Sequence, residues 1–206
     1  MDQGRHTAPG LIELGRLNVA GAGLVLLGTG PDFWAEFTAA PEYADGLPHP
    51  VDRWSKRVIG VLAQTLNGSC SFPSDGPPYA PFVRWAMDTG RFWQSPAGMM
   101  VHDRVGLMIS IRGALHLPDP LDLPPAPVAP CSDCAAPCAT ACPVGALSAQ
   151  QGYDVDACHA YLDTVGGQDC MTRGCIARRA CPVSAGALRS DAQSALHMRA
   201  FHPAPT

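Results

Sequence analysis

The segment Cys131-Ser-Asp-Cys134-Ala-Ala-Pro-Cys138-Ala-Thr-Ala-Cys142-Pro143 places four cysteines within twelve positions, with the spacing C-x2-C-x3-C-x3-C-P. Four more cysteines follow at positions 158, 170, 175 and 181, and the last is again followed by a proline. Apart from Cys70, all the cysteines of the chain therefore lie between positions 131 and 181. This clustering makes the cysteines the feature around which the second half of the chain is organised.

The spacing differs by one inserted residue from the C-x2-C-x2-C-x3-C-P run of bacterial ferredoxins. In that run three thiolates bind one [4Fe–4S] cluster and the fourth binds a second cluster. The geometric reason is that a tight loop can present three thiolates but cannot reach the far corner of a cubane cluster. The fourth ligand must come from a distant part of the chain. Eight cysteines are the number that two such clusters require.

The two-cluster pattern predicts two groups of four ligands. The first cysteine group consists of Cys131, Cys134, Cys138 and Cys181. The second cysteine group consists of Cys142, Cys158, Cys170 and Cys175, whose spacing is looser. Two alternatives stay open, namely one cluster with spare thiols, or a pair of zinc sites. Zinc sites commonly use paired C-x2-C knuckles, and this chain has one C-x2-C, so the two Cys-Pro endings favour iron–sulfur.

Composition and charge exclude several classes of function. The chain has 206 residues and a net charge of −4, which gives no reason to expect nucleic acid or an anionic membrane as a partner. The start of the sequence lacks the features of a signal peptide, and no apolar run approaches the ~20 residues that span a bilayer. We therefore expect a soluble, cytoplasmic protein whose thiols stay reduced and available as metal ligands.

A proline-rich segment, residues 118–130, predicts two domains. It carries six prolines in thirteen residues and reads as an extended connector. The expected fold class is α+β, with a small α/β domain over residues 1–117 and a ferredoxin-like domain with two clusters over residues 131–206.

Local patterns predict several elements within these domains. Leu24–Leu27 is expected to form a buried strand, and Val105–Ile111 is the most strand-like segment. Residues 51–63 are expected to form an amphipathic helix, and a second helix should begin at Asp154. The apolar side of the first of these helices is expected to comprise Trp54, Val58, Val61 and Leu62.

The second half resembles the ferredoxin module of the epoxyqueuosine reductases, which are cobalamin-dependent and related to reductive dehalogenases. The resemblance is carried by the first cysteine run with its Cys-Pro-x-Gly-Ala-Leu ending at Leu147, by Asp156-Ala-Cys-His-Ala-Tyr-Leu-Asp-Thr164, and by Cys170–Pro182. Carried over residue by residue, it implies the same two groups of cluster ligands.

The first half is similar to the end of that family's corrinoid-binding domain. The similarity covers Asp75-Gly-Pro-Pro-Tyr-Ala-Pro-Phe-Val-Arg-Trp-Ala86 and Ser95-Pro-Ala-Gly-Met-Met-Val-His102. It implies a truncated corrinoid- or flavin-type reductase domain, with Asp75 as a catalytic proton donor. It also implies that Ser95, Gly98 and His102 contact the cofactor. The alternative is that Asp75 is a turn residue before Gly76 with no catalytic role.

Together these features predict an iron–sulfur redox protein that transfers electrons through two [4Fe–4S] clusters to a reductase reaction at the N-terminal domain. The expected partner is a redox protein that donates or accepts electrons. The alternatives are a cobalamin-dependent reductase with Asp75 as acid, and a zinc-stabilised interaction module. The basic surface and the C-terminal helical repeats with which the family holds tRNA are missing from the sequence, so nucleic acid is not expected as a partner.

Overall fold

The computed structural model describes residues 6–203 and shows a mixed α and β protein whose sheets are small and antiparallel. It contains two units. The first runs to Arg91 and resumes at Ser110–Pro127, and the second consists of Phe92–Ile109 and the chain from Val128 onward. The predicted α+β class is confirmed in this coarse form.

The first unit combines one sheet with four helices in its described residues. Its elements are β1 (Leu11–Val19), β2 (Ala22–Thr29), α1 (Phe33–Thr38), α2 (Pro41–Ala44), α3 (Pro50–Thr65), β3 (Ser69–Ser71), α4 (Phe82–Asp88) and β6 (Ile111–Leu117). The sheet has the order β1-β2-β6-β3, and each neighbouring pair is antiparallel. The first unit is therefore not an α/β domain in the sense of a parallel sheet.

The core of the first unit is built on β2. The predicted strand Leu24–Leu27 forms its middle, and each of these four side chains is at most 1% exposed. Helix α3 lies against β6, where a Cβ on Gly113 would approach Ile59 Cδ1 to 2.8 Å. The glycine thus lets the helix come close to the sheet.

The predicted helix over residues 51–63 is confirmed as α3, but its predicted apolar side is wrong in part. The buried residues are Trp54, Ser55, Ile59 and Ala63. Val61 is 59% exposed. Ser55, Ile59 and Ala63 are spaced four apart and form one stripe, and two of them are small enough for close packing. Val61 lies two positions from Ile59 and so points to the opposite side.

The predicted strand Val105–Ile111 is also wrong, because the strand begins at Ile111. Residues 105–109 belong to the second unit and contain no strand of more than one residue, and Leu107 is fully buried there. Their carbonyl groups accept hydrogen bonds from arginine side chains, Arg178 to Leu107 O at 2.6 Å and Arg189 to Met108 O at 2.8 Å. The apolar character of this segment reflects burial in a core rather than a strand.

The proline-rich segment has no helix or strand over residues 118–130, as predicted. Its beginning is nevertheless bound to the first unit. Gly23 N–H donates to Asp119 O at 3.0 Å, and the side-chain amide of Asn18 exchanges two hydrogen bonds with the backbone of Leu121. Phe92–Ile109, which the sequence prediction had included in the first domain, belongs to the second unit.

The second unit is assembled from short elements. They are β4 (Phe92–Gln94), β5 (Met100–His102), β7 (Leu147–Ser148), β8 (Gly152–Tyr153), α5 (Val155–Leu162), α6 (Gln168–Arg173), α7 (Ile176–Ala180) and α8 (Asp191–Phe201). Within the described part of this unit, 3-10 helices accompany them at Pro137–Ala139, Val165–Gly167 and Pro182–Ala187. The predicted helix start at Asp154 is confirmed, since its carboxylate accepts the N–H of Ala157 at 2.9 Å and so caps α5.

The buried core of the second unit contains two cysteines among its apolar residues. It consists of Ala97, Val101, Leu107, Cys138, Leu147, Ala177 and Cys181, and Cys131 and Cys175 pack against it.

In the part of the chain that the structure describes, no helix has the length and apolar character required to span a membrane.

Glu42→Gln is predicted to destabilise the first unit. The Glu42 carboxylate is buried and receives two hydrogen bonds from Arg57, at 2.6 and 2.9 Å, and these bonds lower the pKa of Glu42. Since Arg57 is half-exposed, the expected loss in free energy of unfolding is about 1 kcal/mol at pH 7. Urea unfolding followed by the fluorescence of the nearby Trp34 and Trp54 measures it.

The stabilisation that the ion pair of Glu42 and Arg57 provides is predicted to depend on pH in a definite direction. Because the pKa of Glu42 is lowered in the folded state, the stabilising contribution of its carboxylate is complete above the ordinary pKa of 4.5. This contribution disappears as the pH falls through the folded-state pKa. The difference between Glu42→Gln and the wild type should close over that range. Asp88→Asn is the control, since its ion pair with Arg84 is exposed and should contribute little. An equal loss in both variants would contradict the prediction.

Candidate metal centre

The first cysteine group lies around a single cavity of the second unit. The cavity has about 310 Å³ of empty space, part of which is open to solvent. Its lining includes all four members of the group, Cys131, Cys134, Cys138 and Cys181. The remaining walls are mostly apolar and include Pro96, Val101, Leu107 and Val183. Cys181 is distant in sequence from the other three but shares their cavity.

Burial and mutual repulsion act on the thiols of this group. Burial raises the pKa of Cys131, and the negative charges that Cys138, Cys134 and Cys181 can carry raise it further. Burial likewise raises the pKa of Cys138, again with a contribution from Cys181. Such coupling requires the sulfur atoms to be close. A cation bound among these thiols would therefore reduce the repulsion between their ionised forms.

Backbone N–H groups point at two sulfur atoms of the first group. Ala97 N–H donates to Cys138, which opposes the effect of burial on the pKa of that thiol. Ala136 N–H donates to Cys134 at 3.4 Å. Hydrogen bonds to cysteine sulfur favour the anionic form, which is the form that binds metals. Ala97 lies far from the cysteines in sequence, so the spacing of the cysteines could not reveal it.

The second cysteine group draws each member from a different local structure. Cys142 lies in the loop before β7, and Cys158 lies within α5. Cys170 lies within α6, and Cys175 is the residue that precedes α7. The looser sequence spacing of this group corresponds to the helices that contain Cys158 and Cys170.

The thiols of the second group also act on one another. Burial raises the pKa of Cys158, and the charges of Cys175 and Cys142 raise it further. Burial raises the pKa of Cys170, with a further contribution from Cys175. In both cases the neighbouring thiols are members of the same predicted group.

Hydrogen-bond donors surround this group as well. Ala146 N–H donates to Cys142 at 3.3 Å, and Ile176 N–H donates to Cys170. The Tyr153 hydroxyl donates to Cys158, and burial together with this bond raises the pKa of Tyr153. Tyr153 lies on β8 and has no sequence motif that would mark it as part of the site.

All nine cysteines are free, so no disulfide competes for the eight thiols of the two groups. Within residues 6–203, no three His, Cys, Asp or Glu side chains converge in the way that a single metal ion requires. A zinc site needs four sulfur atoms at about 2.3 Å from one point. In a [4Fe–4S] cluster each thiolate binds its own iron, so the four thiolates have to surround a space rather than a point.

The residues predicted to contact a corrinoid belong to the second unit. Ser95 lines the cavity of the first cysteine group. His102 is fully buried, its Nδ1 accepts the N–H of Arg104 at 3.1 Å, and its Nε2 lies 3.2 Å from Asp103 Oδ1. Gly98 has φ +79°, and a Cβ there would meet Ser148 O at 2.7 Å. The roles predicted for these residues in binding a corrinoid stay predictions.

Asp75, the predicted proton donor, belongs to the first unit and forms an ion pair with Lys56 at 2.6 Å. Both side chains are about half-exposed. Cys70 also belongs to the first unit, and burial followed by the charge of Asp75 raises its pKa. Cys70 thus lies outside both cysteine groups, and the catalytic role of Asp75 stays a prediction.

The sequence matches no protein-family model, and a search of curated proteins gave no match.

Gly98→Ala is predicted to distort the turn that carries Ser95 and Ala97. The substitution combines left-handed strain of about 1–2 kcal/mol with a clash against a backbone carbonyl that adds about 1–3 kcal/mol. Gly152→Ala is the matched control, because Gly152 has φ +84° and nothing within 4 Å of its Cβ position. Urea unfolding of the two variants should show the larger loss for Gly98→Ala. Equal losses would mean that the close approach to Ser148 does not constrain this turn.

Proposed function

We propose that this protein binds two [4Fe–4S] clusters through its two cysteine groups and serves as an electron-transfer protein. The observation that carries the proposal is the cavity whose lining includes Cys131, Cys134, Cys138 and Cys181. The first three come from one loop, and the fourth comes from a second Cys-Pro sequence. This combination matches the ligand exchange of two-cluster ferredoxins.

The donor set supports iron–sulfur clusters over zinc. Thiolates are suitable ligands for both. All four residues of the first group line one cavity, and three of them come from a single loop, as the loop of a ferredoxin cluster does. The N–H groups of Ala97, Ala136, Ala146 and Ile176 are directed at cysteine sulfur. Hydrogen bonds of this kind tune the reduction potentials of iron–sulfur clusters.

Bound clusters would supply one-electron chemistry, and the residues of the second unit would supply the environment. Val101 and Leu107 shield one wall of the first site from water, which strengthens every electrostatic interaction inside it. Arg179 lies near Cys170, and its charge opposes the rise that burial causes in the pKa of that thiol. Arg179 is also paired with Asp169, which compensates its charge in part, and the remaining positive charge would favour the addition of an electron to the second site.

The two groups are joined by a short stretch of chain. Cys138 belongs to the first group and Cys142 to the second, so their Cα atoms are separated by at most about 14 Å. Two clusters held by these residues would be neighbours. This arrangement suits the passage of an electron from one cluster to the other and on to a redox partner protein.

The role of the first unit rests on the resemblance described above. A reductase reaction there, with cobalamin as a cofactor and Asp75 as proton donor, stays a prediction. Titration of the purified protein with a corrinoid, followed by its visible spectrum, tests that part independently of the clusters.

Iron and sulfide analysis of the anaerobically reconstituted protein tests the proposal. Two [4Fe–4S] clusters require about eight iron and about eight sulfide per chain, with a brown protein that is bleached by reduction. Cys181→Ala and Cys158→Ala should each lose about half of the iron, because each removes a ligand from one group only.

Cys70→Ala is the matched control and should keep the full iron content, since Cys70 lies in the first unit and outside both groups. A colourless wild-type protein that binds zinc would contradict the proposal. An equal loss of iron in Cys70→Ala and Cys181→Ala would contradict the assignment of the ligands.

A further inference from the structure

Ser95 has a buried hydroxyl group that the surrounding protein does not satisfy. The residue is 2% exposed, and its Oγ has no hydrogen-bond partner among the described residues. Buried hydroxyl groups are normally paired, because leaving one unpaired sacrifices its hydration without compensation. An unpaired buried hydroxyl therefore indicates a partner that belongs to the site but not to the polypeptide.

The position of Ser95 identifies where that partner would lie. Ser95 lines the same cavity as the first cysteine group. Its backbone is held by a tight turn, in which Ser95 N–H donates to Met99 O at 2.8 Å and Gly98 N–H donates to Ser95 O at 2.9 Å. The same turn directs the N–H of Ala97 to Cys138. The turn therefore offers one backbone donor and one side-chain donor to this cavity.

We propose that the Ser95 hydroxyl donates a hydrogen bond to a sulfur atom of the cluster site formed by the first cysteine group, and thereby makes the cluster at this site easier to reduce. This inference rests on the proposed function. It assigns Ser95 to the iron–sulfur site, whereas the resemblance had associated it with a corrinoid.

The direction of the effect follows from electrostatics. A serine hydroxyl is a donor, and thiolate or sulfide sulfur is an acceptor whose negative charge grows when the cluster takes up an electron. The hydrogen bond is therefore stronger in the reduced state than in the oxidised state. The apolar walls of the cavity enhance this difference because they lower the local dielectric constant.

A redox titration monitored by electron paramagnetic resonance tests the inference. In Ser95→Ala, the ratio of reduced to oxidised cluster at a fixed potential should fall roughly three- to tenfold, a shift of about 30–59 mV to lower potential for a one-electron couple. One of the two cluster potentials should move and the other should stay. The iron content should remain at the wild-type level.

Two further variants separate the hydroxyl from the shape of the side chain. Ser95→Thr and Ser95→Val have nearly the same shape, but only threonine retains the hydroxyl, so the threonine variant should have the higher potential. The comparison of the threonine and valine variants also tests the inference if Ser95→Ala binds little iron. Ser55→Ala is the matched control, because Ser55 is 1% exposed, lies in the first unit and already donates to Val51 O at 2.7 Å. It should leave both potentials unchanged.

The outcomes that overturn the inference differ from those that overturn the proposed function. Equal potentials in the wild type and in a fully loaded Ser95→Ala would overturn the role of Ser95 alone, as would equal potentials in the threonine and valine variants. A wild-type protein that binds no iron would overturn both.

Discussion

The second unit depends on cysteine side chains that form part of its apolar core. Two thiols, Cys138 and Cys181, occupy core positions beside Leu107 and Leu147, and the side chains of Trp93 and Met99 pack against the same core. Together with Cys131 and Cys134, these two thiols line a cavity. Close packing supplies much of the stability of ordinary domains. Under the proposed function, the stability of this unit is therefore coupled to the binding of clusters, as it is for small metal-binding domains.

The grouping of the cysteines was accessible from sequence because it follows from the reach of the chain. A loop such as Cys131–Cys138 can present three thiols to one space but not four, and the structure has Cys181 at the cavity of that loop. The walls of the cavity were not accessible in this way. Ser95, which lines the cavity, and Ala97, whose N–H donates to Cys138, lie more than thirty residues before the first cysteine of the motif, and only tertiary packing brings them to it.

Local patterns predicted elements where one physical cause dominated. Leu24–Leu27 is buried on both faces in the middle of a sheet, so a continuous apolar run identified it. The apolar run Val105–Ile111 has two causes. Its first part is buried among the turns of the second unit, whereas Ile111 begins a strand of the first. A hydrophobic sequence indicates that a segment is buried, but it does not indicate in which unit's core the segment is buried. For this reason the strand boundary predicted from the sequence is wrong.

The membership of Phe92–Ile109 in the second unit also affects how recombination between genes would transfer this unit to another protein. The chain leaves the first unit after Arg91, returns at Ser110 to add a strand to the sheet, and leaves it again after Pro127. The second unit, which contains both cysteine groups, is thus not formed by one continuous segment of the chain. A recombination joint within the proline-rich segment would transfer all eight clustered cysteines to a new host but leave behind the turn at Ser95 and the donor on Ala97. The recipient would acquire the ligands without the wall that encloses them.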